Sequence, residues 1–262
     1  MINPSDRQPG SAYLVSENGQ AICSQNYESY TTEDFKTWNY LLQRQNKIIL
    51  DKACREFQHG IKALGIESEI IDIKKLSQKL YGISGWHLAG VDGLLPNEVF
   101  FDMLNHKIFP VSVHIRSFDE LEFSKLPDLF HDVYGHVSLL SNLDFCKFIH
   151  QYSQVALKYL DQKDAMTYLG RLYWFTMETG LINENGSVKP YGGAIMSSSG
   201  EIDNVYNENI PKRPFNIQQV MTTSYDNFTL QKEYFVIDSF EQMFSCVTTL
   251  EKELSDLLER NV

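Results

Sequence analysis

Leu126-Pro-Asp-Leu-Phe-His-Asp-Val-Tyr-Gly-His-Val-Ser-Leu-Leu140 carries two histidines five residues apart, His131 and His136, in a stretch that reads as helix. Pro127 suits a first helical turn, where its missing N–H is not needed, and Asp128 complements the positive end of the helix dipole. Further along, Trp174-Phe-Thr-Met-Glu178 sets a carboxylate on an otherwise apolar, aromatic helix. Burying that carboxylate alone is prohibitive, so it must be paired or bind a metal. Two imidazoles and one carboxylate form the ligand set of a non-haem Fe(II) facial triad, which leaves metal positions open for oxygen and substrates. If His131, His136 and Glu178 meet in space, the chain is an oxygenase.

The spacing bears on this. On an α-helix, positions i and i+4 lie about 40° apart, whereas i and i+5 lie about 140° apart. The pair therefore differs from the H-E-x-x-H arrangement of zinc hydrolases, in which both rings leave one face. Both rings can still reach one ion if it sits between their directions or if the helix is locally distorted. Gly135 can admit another part of the chain close to that turn. Asp132 stands where a zinc hydrolase carries its general base, which keeps that class as an alternative. Asp128, one turn before His131, is expected to accept a hydrogen bond from that ring's free N–H. His59, His87, His106, His114 and His150 show no ligand spacing.

Working outward, 262 residues with 43% hydrophobic content can bury a large core, and no repeat, low-complexity tract or Gly/Ser linker divides them. A net charge of −11 argues against a nucleic-acid partner. No apolar run approaches a membrane span and the polar start lacks a signal region, so no membrane partner is expected. Four scattered cysteines without a C-x-x-C pair fit reduced thiols in a cytoplasm. Residues 1–30 read as a loop-like segment. Thr31 offers a cap for a long helical stretch running towards Leu64, Asp72 caps a second helix ending near Gly82, and Pro96 opens a third over Asn97–Asn105. Residues 108–115 are the best strand candidate in this half. Helices are expected over 144–160 and 165–179, hairpins and a loop over 183–203, and a short strand over 234–237. A final helix carries Met243, Val247, Leu250, Leu254 and Leu257 on one stripe, read as core packing rather than an oligomer seam. The expectation is one domain over 1–262, mainly α with a few short β-strands and no doubly wound sheet.

The segment from Leu126 to Leu140 resembles the signature of the pterin-dependent aromatic amino acid hydroxylases, and most nearly the bacterial phenylalanine hydroxylases. Five further blocks keep the family's order: Gly93 to Phe101, Phe109 to Arg116, Arg171 to Glu178, Tyr191 to Ser198 and Tyr234 to Phe240. The resemblance covers roughly residues 80 to 250. It implies the catalytic domain of that family, with Fe(II) on His131, His136 and Glu178 and a tetrahydropterin and O2 as co-substrates. By the same resemblance Phe100 stacks on the pterin, the backbone of Gly93 and Leu95 bonds its edge, and Asp132 touches it directly or through water. Arg116 would clamp the substrate carboxylate, as a planar guanidinium can do bidentately. Ser124, Trp174 and Ser197 match substrate positions. The implied reaction is ring hydroxylation of L-phenylalanine to L-tyrosine. The alternative is a sister reaction on tryptophan, tyrosine or the meta position of phenylalanine. Leu126, Ser138 and Thr179 depart from the family's usual glutamate, proline and phenylalanine, and Thr179 bears on substrate preference. Neither a regulatory domain nor a tetramerisation tail is read in the chain, so a monomer is expected.

Overall fold

A computed structural model describes residues 13–14, 21–67, 69–122, 124 and 126–260. Much of the expected N-terminal loop, residues 1–12 and 15–20, therefore lies outside the described residues. Within it Tyr13–Leu14 (β1) and Ala21–Ile22 (β2) pair as antiparallel strands rather than loop.

Thr31 and Asp34 exchange side-chain and backbone hydrogen bonds in a capping box that opens α1 (Thr32–Ile49). The expected long helix is two helices. The chain turns at Leu50–Ala53, Cys54 gives its N–H to the Pro190 carbonyl, and its sulfur accepts from Phe57 to start α2 (Arg55–Leu64). Asp72 caps α3 (Ile73–Ser84) as expected. β3 (His87–Val91) was not foreseen. It lies between β2 and β4 and is largely buried, so it shows no polar alternation. α4 (Asn97–Asn105) follows Pro96 and leads to β4 (Ile108–Ser112), which runs parallel to β3 with His87 opposite Ile108 and Val91 opposite Ser112. This βαβ unit brings the loop after β3 and the end of β4 to one edge.

α5 (Leu143–Lys158) and α6 (Lys163–Tyr173) form the helical centre. The hairpin β5 (Leu181–Glu184) to β6 (Ser187–Pro190) lies in the 183–203 region as expected, but the rest of that region folds into α7 (Gly193–Met196) and α8 (Ser199–Val205). Ser198 caps α8 through Glu201 N–H, a local signal that the cluster of small residues obscured. β7 (Lys212–Pro214), α9 (Ile217–Thr222) and β8 (Tyr234–Ile237) complete a second sheet of order β6-β5-β8-β7. α10 (Phe240–Arg260) packs along α5, with its Met243, Val247, Leu250, Leu254 and Leu257 stripe buried. The chain is mainly helical with few short strands, and one large apolar core runs from Trp38 to Leu257.

Candidate active site

Both ligand-bearing segments leave α-helical geometry at the residues that matter. His131–His136 is a turn of π-helix, closed by Val137 N–H donating to the Asp132 carbonyl five residues back. Trp174–Glu178 is another, closed by Thr179 N–H on the Trp174 carbonyl at 2.8 Å. A π-turn fits one extra residue into each turn, so residues i and i+5 stand one above the other. The 140° divergence expected of an α-helix disappears, and the local distortion held open by the sequence is the arrangement found. His131 Nε2 and His136 Nε2 lie 3.1 Å apart. Glu178 places Oε1 3.3 Å from His136 Nε2 and Oε2 3.6 Å from His131 Nε2.

Hydrogen bonding fixes the tautomer of one ring. Ser197 Oγ donates to the Gly193 carbonyl at 2.8 Å, so it must accept from His131 Nδ1, 2.9 Å away. The Nδ1–H is thereby used and the Nε2 lone pair faces Glu178 and His136. Asp128 does not take this bond, contrary to expectation. Its carboxylate is drawn instead to the Arg116 guanidinium, through Nε–H at 3.0 Å and Nη2–H at 2.7 Å, and to the backbone N–H groups of Arg116 and His131 at 3.0 Å each. Burial would raise the Asp128 pKa, but Arg116 more than offsets it and the carboxyl sits below its usual range.

The other ring is wedged by backbone. A Cβ added to Gly193 would lie 2.3 Å from His136 Cε1, and one added to Gly135 would lie 2.6 Å from the Gly193 carbonyl oxygen. The close approach anticipated at Gly135 thus comes from Gly193 at the start of α7. Gly193 was not singled out from sequence, although the Gly192-Gly193 pair was the available signal.

The donor set fits a metal ion. Two ligands each about 2.1 Å from one ion at right angles stand about 3 Å apart, close to the two imidazole nitrogens. Glu178 Oε2 is buried without a hydrogen-bond partner. Burial would raise the Glu178 pKa, but His136 and His131 hold it down at about 2, whereas burial pushes His131 down to about 4. Burial also lowers His136, yet the Glu178 charge beside it leaves its pKa above the usual value. A carboxylate facing two ring nitrogens is an arrangement a divalent cation satisfies.

These three residues line a cavity of about 590 Å³, which all eleven residues proposed from sequence share. The lining includes Gly93, with φ of +81°, and Leu95 from the loop after β3, and Phe100 on α4. Asp132 also lines the cavity and is buried, with Oδ2 accepting Ser112 N–H at 2.7 Å, and burial pushes its carboxyl up to about 7. Arg116, Ser124, Trp174 and Ser197 line the same cavity. Ser124 Oγ donates to the Leu126 carbonyl, and Trp174 stacks on Tyr225 with centroids 4.5 Å apart. Tyr173, Glu201 and Gln231 also line the cavity and were not foreseen. His114, read as structural, pairs with Asp92 at 2.5 Å.

A family model for biopterin-dependent aromatic amino acid hydroxylases matches residues 15–259. The chain belongs to this family. Among its relatives, phenylalanine-4-hydroxylase of Chromobacterium violaceum is 40% identical over 83% of this chain and 73% of its own length. The Ralstonia nicotianae phenylalanine-4-hydroxylase is also 40% identical, over 82% of this chain and 69% of its own. A crystal structure of the C. violaceum enzyme, described with bound iron(III) and 7,8-dihydrobiopterin, superimposes with a TM-score of 0.85 at 37% identity, covering 90% of this chain and 86% of that one.

Within the hydroxylase family, the three departures have distinct surroundings here. Leu126 stands half-exposed on the cavity rim. Ser138 is buried with its hydroxyl on the Tyr134 carbonyl at 3.3 Å. Thr179 is buried beside Glu178, and its hydroxyl donates to the Trp174 carbonyl at 2.9 Å, reinforcing the π-turn. Ser197 should matter beyond any contact with substrate. Ser197→Ala frees the His131 tautomer and should weaken iron binding about 10- to 100-fold while the fold holds, as read by iron titration and circular dichroism. Unchanged affinity would remove this role.

Proposed function

We propose that the chain is an Fe(II)- and tetrahydropterin-dependent monooxygenase that hydroxylates L-phenylalanine to L-tyrosine. The observation that carries the reading is the three-donor group of His131, His136 and Glu178 in a cavity also lined by Arg116 and Phe100. When bound, iron and the tetrahydropterin together supply the reductive activation of O2 that puts one oxygen atom into the aromatic ring.

The protein's own residues bind, orient and exclude water. Phe100 offers a ring face for the pterin, and the Gly93–Leu95 backbone offers hydrogen-bonding groups to its edge. Asp132 faces the same side, its Oδ2 already held by Ser112. Arg116 gives Nε–H and Nη2–H to Asp128, so a substrate carboxylate meets its Nη1 side, on a guanidinium that cannot swing. Trp174 and Thr179 wall the ring of the amino acid, with Ser124 and Ser197 beside it. The four cysteines are free, which supports a cytoplasmic location. Among the described residues no helix is long and apolar enough to cross a membrane. A single catalytic domain acting as a monomer agrees with the internal burial of the α10 stripe.

The test is anaerobic reconstitution with Fe(II), followed by oxygen, a tetrahydropterin and a mixture of phenylalanine, tyrosine and tryptophan. Pterin-dependent tyrosine formation is expected. A hydroxytryptophan, dihydroxyphenylalanine or meta-tyrosine product would move the assignment to a sister hydroxylase. Retained zinc with no oxygen uptake would move it to a hydrolase.

A further inference from the structure

Gln231 follows the irregular stretch between α9 and β8 and is 5% exposed. Every polar group it has is engaged. Its side-chain Oε1 accepts Trp174 Nε1–H at 2.9 Å, and its Nε2 donates to the carbonyls of Asp226 and Thr229 at 2.9 and 3.1 Å. Its backbone N–H donates to Glu201 Oε1 at 3.0 Å, and its carbonyl accepts from Asn204 Nδ2 at 2.8 Å. Glu201 is itself buried and held by the Tyr234 hydroxyl, so the anchor behind Gln231 is not a mobile surface group. The amide orientation is dictated: an indole N–H needs the oxygen and two carbonyls need the nitrogen.

The partners are what give this hub a use. Trp174 is an indole of the cavity wall, stacked on Tyr225. Residues 226–230 have no regular structure, and Asn227, Phe228, Thr229 and Leu230 among them line the same cavity. Phe228 and Leu230 are more than half exposed, and the stretch has no helix or strand of its own to hold it. The bonds from Gln231 to Asp226 and Thr229 tie both ends of it to the indole.

We propose that Gln231 is a positioning residue for the amino acid side of the site: it makes Trp174 and the 226–230 wall one rigid unit against which the substrate ring is measured. This rests on the reading of the cavity as an aromatic amino acid site. The hydrogen bonds of Gln231 run to Trp174, Asp226, Thr229, Glu201 and Asn204 and not to Gly93, Leu95 or Phe100, so the effect of losing them should fall on the amino acid side.

Two variants separate the elements of the hub. Gln231→Leu keeps the size and loses all three side-chain bonds, whereas Gln231→Glu keeps an acceptor for Trp174 and loses both donors to the wall. In the iron-loaded enzyme, Gln231→Leu should raise KM for phenylalanine about tenfold and leave KM for the tetrahydropterin within about twofold, as a buried indole N–H loses its partner. In the metal-free protein, amide hydrogen exchange over 226–230 should quicken about tenfold in both variants while exchange in α5 and α6 is unchanged. If Gln231→Leu does not fold, Gln231→Glu carries the test through the exchange of 226–230. Unchanged exchange and unchanged phenylalanine KM in a folded variant would overturn the proposal, as would an equal rise in both KM values. A wild-type enzyme that made no hydroxylated amino acid would sink the reading of the cavity, and the exchange result would still judge the hub.

Discussion

Replacing Glu178 by Gln, or either His131 or His136 by Ala, should reduce turnover at least about 1000-fold, equivalent to about 4 kcal/mol of transition-state stabilisation. The reason is geometric before it is chemical. Two ring nitrogens 3.1 Å apart face the two oxygens of one carboxylate at 3.3 and 3.6 Å, and one ligand atom from each of the three residues lies within 4.8 Å of the other two. Removing one leaves two ligands, which is too few to hold a divalent ion against buffer and water, so iron content should fall with activity. Iron analysis and turnover measured on the same samples check this, with circular dichroism confirming the fold. A variant that hydroxylates at the wild-type rate without iron would end the assignment.

Arg116→Ala should lower stability by about 3–5 kcal/mol, because it strands a buried carboxylate. The side chains of Arg116 and Asp128 are 6% and 4% exposed. For a chain of this size the loss corresponds to a Tm lower by roughly 10 °C. A loss of substrate affinity should accompany it, so a raised KM for phenylalanine alone would not describe the variant. The dependence on pH has a definite sign. In the wild type the Asp128 pKa is depressed, so its contribution is complete above the unfolded carboxyl value of about 4 and fades as pH falls through the lower folded value. In Arg116→Ala burial dominates and the folded pKa rises above the unfolded one. The stability gap to wild type should therefore narrow on acidification from neutral pH. Adding Asp128→Asn should recover part of the loss. A gap independent of pH, with no recovery in the double variant, would show that the pair does not hold this turn.

Much of this site could be read before folding. His131 and His136 stand out as a ligand-type pair, and Glu178 because a carboxylate on an apolar helix is costly to bury without a partner. Asn97–Asn105 and residues 234–237 carry strong local signals, a helix-starting proline and a β-branched aromatic run. What escaped reading depends on contacts made far along the chain. Asp128 lies one turn from the His131 ring, and sequence alone cannot show that Arg116 takes its carboxylate while Ser197, from α7, takes the ring. β3 escaped because a strand buried on both faces has no alternation to detect. The helix break at Leu50 reflects the docking of Cys54 on Pro190, a contact invisible to propensity. Gln231 was not singled out, since nothing local tells a glutamine that it will be enclosed.

The two π-turns also say something about which changes of length this chain can accept. In an ordinary helix, a residue gained or lost on the far side of a ligand is absorbed by sliding or fraying. Here the surplus residue in each turn is itself what sets the ligands in phase, and both turns must keep it together. Removing Gly135 would return the histidines to a four-residue spacing on one α-helical face, yet it would also delete the gap into which Gly193 fits. The metal-binding frame is thus counted in whole residues, and a deletion there cannot be repaired by repacking. The β5–β6 hairpin, ending in an exposed turn, has no such arithmetic to respect.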